Sequence, residues 1–108
     1  SIEVLPKYMD NDSTDVFVLV GNDIKEKLQA IVDGKPFNTN YNYIMSKYLC
    51  NNSETPVIVN NNKKNDFYSY CQGLKIIGRR KTIIDNVTVD VGQNGECVTR
   101  LAVVQYDK

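Results

Sequence analysis

FYSYCQGLKIIGRRKTIIDNVTVDV, residues 67–91, taken as strand, commits the second half of the chain to an antiparallel sheet. Phe67, Ser69 and Cys71 alternate with Tyr68 and Tyr70, the period-2 pattern of a strand with two unlike faces. Residues 74–77 and 82–84 read as two further strands flanking the basic cluster GRRK at 78–81. Val87, Val89 and Val91 then alternate with Thr88 and Asp90, Gln93-Asn94-Gly95 supplies turn chemistry, and residues 97–106 return as the hairpin partner.

Upstream, Val57-Ile58-Val59 is a short strand, and NNNKKN at 60–65 is a polar, basic loop tip with nothing to bury. Two helices precede it. Ile24, Leu28, Ile31 and Val32 fall at i, i+4, i+7 and i+8, opened by an Asp23/Glu26 capping-box pair and stopped by Gly34 and Pro36. Tyr41, Ile44, Met45, Tyr48 and Leu49 repeat similarly over 41–50 with Asn40 as cap, which buries Tyr41 and Tyr48 and leaves Tyr43 and Lys47 outside. The apolar run VFVLV at 16–20 reads as a buried strand ending at Gly21, DNDSTD at 10–15 as a loop, and residues 2–5 as an edge strand closed by Pro6. The order β-α-α-β-β-β-β lacks the alternation of a parallel sheet. The expectation is α+β: a curled antiparallel sheet, OB-like or otherwise barrel-like, with two helices over one side or end.

Charge and aromatic rings are segregated along the chain. The whole is neutral, with 13 cations and 13 carboxylates. Between Gly34 and Lys81, however, lie seven of the ten aromatic residues, and eight cations face two carboxylates, a local +6. Residues 1–33 carry −4 and residues 82–108 carry −2. Cations mixed with flat π-faces suit a groove for single-stranded nucleic acid, with charge for phosphates and rings for bases. Tyr43, Tyr68 and Tyr70 are the candidate stacking rings, the last two sharing one face of the strand read at 67–71. Lys63 and Lys64 on their loop tip, with Arg79, Arg80 and Lys81 in their turn, are the candidate phosphate contacts.

At 108 residues the chain is one domain with a single core. Its start at Ser1 suggests a piece of something longer. No apolar run approaches the roughly 20 residues that span a bilayer, so no membrane partner is expected. With no His, the usual general base at neutral pH is missing and zinc would need carboxylate ligands, so neither an enzyme nor a metal or cofactor site is expected. Cys50, Cys71 and Cys97 show no Cys-x-x-Cys spacing and read as reduced, small core residues of a nuclear or cytoplasmic protein. Asn11-Asp-Ser, Asn51-Asn-Ser and Asn86-Val-Thr match glycosylation triplets that an Asn-rich chain supplies by chance. The acidic and basic zones also suit head-to-tail self-association.

SIEVLPKYMDNDSTDVFVLVGND at 1–23, the Asn/Lys/Tyr-rich middle and QGLKIIGRRKTII at 72–84 resemble baculoviral replication proteins, nearest in character the late expression factor that binds single-stranded DNA. That resemblance implies a nuclear, oligomeric viral protein that coats single strands, works with a helicase and is sensitive to thiol state. No family motif is matched position by position, so no functional residue is carried over. Two functions follow as expectations: a non-catalytic module for single-stranded DNA or RNA acting in replication, or an assembly domain such as a capsid, adaptor or host-factor binder. A secreted, glycosylated domain is a third.

Overall fold

The computed structural model describes residues 5–77, 82–92 and 97–107, with residues 5–16 and 77 described by backbone alone. Helix α1 (Leu5–Val32) is followed by α2 (Phe37–Tyr48), a 3-10 turn (Asn52–Glu54), strands β1 (Pro56–Val59) and β2 (Lys63–Asp66), helix α3 (Phe67–Ile77), and strands β3 (Thr82–Val91) and β4 (Val98–Asp107). The class is α+β, as expected. The sheet is neither closed nor wholly antiparallel. Its order is β2-β1-β4-β3, with β1 parallel to β4 and antiparallel pairs on either side. An open sheet with two ends replaces the expected barrel, and three helices replace two.

Three segments read as strand, 16–20, 67–71 and 74–77, are helical, and the loop read at 10–15 and the helix start read at Asp23 both lie inside α1. In residues 67–77 the decisive spacing is Phe67, Tyr70, Cys71 and Leu74, at i, i+3, i+4 and i+7, all buried. The Asp66 carboxylate opens this helix by accepting the Ser69 backbone N–H at 2.9 Å. Residues 16–20 belong to α1, where Val18 and Leu19 are exposed rather than core. Pro6 is tolerated because it lies in the first turn, where its missing N–H breaks no intrahelical bond. Gly34, at φ 89°, ends the helix as anticipated. Residues 60–65 also hold more structure than a loop. Asn60 and Asn61, both at left-handed φ, make the turn that pairs β2 with β1. The 2–4 part of the edge strand and the 93–96 turn lie outside the described residues.

One sheet face carries the core. Val57, Val59, Ile84, Val87, Leu101 and Val103 meet Ile24 and Leu28 of α1, Tyr41 and Ile44 of α2, and Phe67, Cys71 and Leu74 of α3. Phe37, Tyr41 and Phe67 form a stack with centroids 5.3 and 5.2 Å apart. The structure also corrects the thiol reading: Cys50 and Cys97 are joined by a disulfide, and only Cys71 is a free, buried cysteine. That bond sits beside the parallel bridge of Leu49 to Val98 and the 2.9 Å Cys50 N–H to Val98 carbonyl bond, tying the exit of α2 to the start of β4.

Candidate interaction surface

The strand pairing places alternate residues on the face turned away from the helices. Along β4 these are Arg100, Ala102, Val104 and Tyr106, directly opposite Asp90, Thr88, Asn86 and Ile83 of β3. On the other flank Ile58 pairs with Ala102, and Lys64 with Ile58. Ile83, Tyr106, Val104, Ala102 and Ile58 therefore form one diagonal apolar stripe. Val104 is 44% and Tyr106 51% exposed, whereas Val103 beneath them is 1% exposed. Charges flank the Ala102/Ile58 end of the stripe on both sides: Lys64 and Asp66 on β2, and Arg100 and Asp90 on the hairpin, the last two paired at 2.6 Å.

The described members of the candidate nucleic-acid set do not share one face. Tyr70 lies on α3, is 5% exposed, and donates its hydroxyl to Gln105 at 2.6 Å, so its ring faces the core. Tyr68, two positions along the helix, points away from it. It is 48% exposed, sits edge-on to Tyr41 and accepts the Gln72 amide. The helix explains the parting: two residues turn the side chain by about 200°, where a strand would keep both on one face. Lys63 and Lys64 are exposed on β2, on opposite sides of the sheet. Lys63, with Ser69, Tyr70, Gly73 and Gln105, lines a shallow cleft between β2 and α3. Arg79, Arg80 and Lys81 lie outside the described residues.

Tyr43 has a partner the sequence did not suggest. Its hydroxyl donates to the Asp23 carboxylate at 2.6 Å, beside the Tyr48 hydroxyl at 2.5 Å on the same oxygen. Lys27 bonds Asp23 at 3.2 Å and lies over the Tyr43 ring at 4.5 Å, and Lys47 donates to the Tyr43 hydroxyl at 2.9 Å. Burial works against the Asp23 charge, but bonds from Tyr43, Tyr48 and Lys27 outweigh it and hold the carboxyl below its ordinary range. Burial first, then the adjacent Asp23 charge, pushes the Tyr48 hydroxyl upward. A tyrosine driven away from ionisation is a poor base, so this cluster is a clamp between α1 and α2.

No protein-family model matches the chain, and no curated protein or solved structure matches it significantly. Among the described residues no helix is long and apolar enough to cross a membrane, and no group of three or more acidic or cysteine side chains could hold a metal. Among the described residues, the open face is a contiguous exposed surface with both an apolar centre and a polar rim. Its alternation at Val104 and Tyr106 was visible in the sequence, but which face stays uncovered depends on where three helices dock.

Proposed function

We propose that this chain is a non-catalytic assembly domain that pairs with a second copy of itself through the open face of the sheet. The observation that carries this reading is the half-exposed stripe of Val104 and Tyr106 with balanced charge on both flanks. A two-fold contact needs a self-complementary patch. Here Lys64 and Asp66 on one flank, and Arg100 and Asp90 on the other at the same level along the strands, give each sign a counterpart under rotation about an axis parallel to the strands. The neutral net charge leaves two copies without long-range repulsion. Strands about 3.3 Å per residue and 4.8 Å apart give a face of roughly 500 Å² per copy, so the total sits at the weak, reversible end of specific interfaces.

Sedimentation velocity across a concentration series tests it. The expected result is a monomer–dimer equilibrium that Val104→Glu abolishes without lowering the thermal midpoint. A wild-type chain that stays monomeric throughout the series would end the reading.

A second reading, single-stranded nucleic acid, draws support from the same face. Tyr106 presents a half-exposed ring on a sheet that also carries Lys64 and Arg100, the combination of π-face and cation on which single strands stack. Fluorescence anisotropy with an unstructured oligonucleotide separates the two. Salt-sensitive binding lost in Tyr106→Ala favours the nucleic acid, and no binding at low salt leaves the protein contact.

A further inference from the structure

We propose that Asn51 is the acceptor of an N-linked glycan and that the chain matures in an oxidising, glycan-transferring compartment. The first support is the thiol pattern. Cys50 and Cys97, 47 positions apart, are joined with Cα atoms 5.1 Å apart, well inside the span of an ordinary disulfide. The remaining cysteine, Cys71, is buried. Pairing the accessible cysteines and burying the free one is the arrangement of a protein folded where disulfides persist. The second support is the triplet Asn51-Asn52-Ser53 at the very next residue. Asn51 and Asn52 are exposed, on the bend and 3-10 turn that leave α2. The Asn51 side chain does not cap that turn, and the middle residue is not proline, so the amide is chemically available.

The other two triplets are poorer sites. The Asn11 side chain lies outside the described residues. Asn86 is held in β3, directly opposite Val104, with its amide donating to the Thr88 hydroxyl at 3.4 Å. A glycan there would stand on the face proposed for pairing. In the transfer, the Asn51 amide nitrogen attacks the anomeric carbon of a lipid-diphosphate-linked oligosaccharide. The N–C bond forms, the carbon–oxygen bond to diphosphate breaks, the nitrogen loses a proton, and lipid diphosphate departs. The host's transferase supplies the catalyst.

The experiment is expression of the full chain behind a secretion leader in eukaryotic cells, with intact mass before and after peptide-N-glycosidase. The expected result is a glycan mass removed by the enzyme, leaving Asp at 51, absent from Asn51→Gln and retained in Asn86→Gln. Ser53→Ala, which keeps the asparagine but removes the hydroxyl the transferase requires, gives the same loss if Asn51→Gln folds poorly. Secreted chain with Asn51 unmodified overturns the proposal, as does recovery with Cys50 and Cys97 as free thiols.

Discussion

The side-chain amide of Gln29 pairs with the backbone around Ile84 as a neighbouring strand would. Its Oε1 accepts the Ile84 N–H at 2.8 Å and its Nε2 donates to the Thr82 carbonyl at 3.1 Å. β3 is an end strand of the sheet, so these groups point away from β4 and need a partner from elsewhere. Helix α1 supplies it from the position directly after Leu28, at the margin of its core-facing side. The fold thus closes one edge with a helix residue and leaves the other to β2, whose Lys63 and Lys64 discourage further pairing.

Replacing Gln29 by Leu keeps the size and removes both bonds. Leaving a buried donor and acceptor unmatched costs about 1–3 kcal/mol. The thermal midpoint should fall by several degrees, and amide exchange at Ile84 should accelerate more than at Leu101 in the sheet centre. Unchanged protection at Ile84 would show that the amide pairing contributes nothing.

Two helical glycines should respond oppositely to alanine. A Cβ at Gly21 would lie 2.4 Å from the Val87 carbonyl oxygen, a backbone atom that cannot swing aside. Overpacking of this kind costs about 1–3 kcal/mol, exceeding the roughly 1 kcal/mol that alanine gains over glycine in a helix. Gly73 in α3 has nothing within 4 Å of the same atom. Gly73→Ala should therefore stabilise by about 0.5–1 kcal/mol, and Gly21→Ala should destabilise. Urea midpoints of the two variants decide both, and equal shifts would refute the close crossing of α1 over β3.

Much of this arrangement was legible from residue spacing. The helix built on Ile24, Leu28 and Ile31, the helix holding Tyr41 and Ile44, the Val57–Val59 strand and the returning hairpin all form where their periods place them, although α1 begins at Leu5 instead of Asp23 and α2 at Phe37 instead of after Asn40. The misreadings share a physical origin. Five consecutive apolar residues at 16–20 fit a buried strand as well as one stretch of a long helix, and of residues 17–20 only Val20, continuous with Ile24, packs on the core. Phe67–Cys71 satisfies period 2 over five residues, yet extending the window to Leu74 shifts the balance to 3.6. Neighbours in sequence were parted in space where the structure describes them: Lys63 and Lys64 alternate across the sheet, and Tyr68 and Tyr70 separate around a helix. The disulfide had no local signal; it depends on α2 ending beside β4.

That disulfide should dominate the response to reductant. Cross-linking positions 47 apart restricts the unfolded chain by about 4 kcal/mol in the loop-entropy picture. Cys50→Ser with Cys97→Ser should lower the urea midpoint accordingly, and dithiothreitol should do the same to the wild type. Thiol counting gives an independent check. Burial pushes the Cys71 thiol well above its ordinary range, so the native protein should resist alkylation. In denaturant one thiol should label before reduction and three after it. Rapid labelling of native protein would contradict the buried position of Cys71.

Acid should loosen α1 from α2 through Asp23. Its carboxyl titrates below the ordinary 3.8 in the folded chain, because bonds from Tyr43, Tyr48 and Lys27 outweigh the opposing burial. A group depressed by folding contributes stability that is fully present above its unfolded value. That contribution is lost as pH falls through the lower folded value. Asp66, held low by the Ser69 backbone N–H, titrates in the same direction, so the comparison must be made at one site. Asp23→Asn retains the shape and a hydrogen-bonding oxygen but removes the charge. The variant should be less stable than wild type at neutral pH, and the gap should close below about pH 4. Thermal midpoints of both proteins across that range test this directly. A gap that persists undiminished at acid pH would mean the tyrosine hydroxyls bind the side chain for its shape and not for its charge.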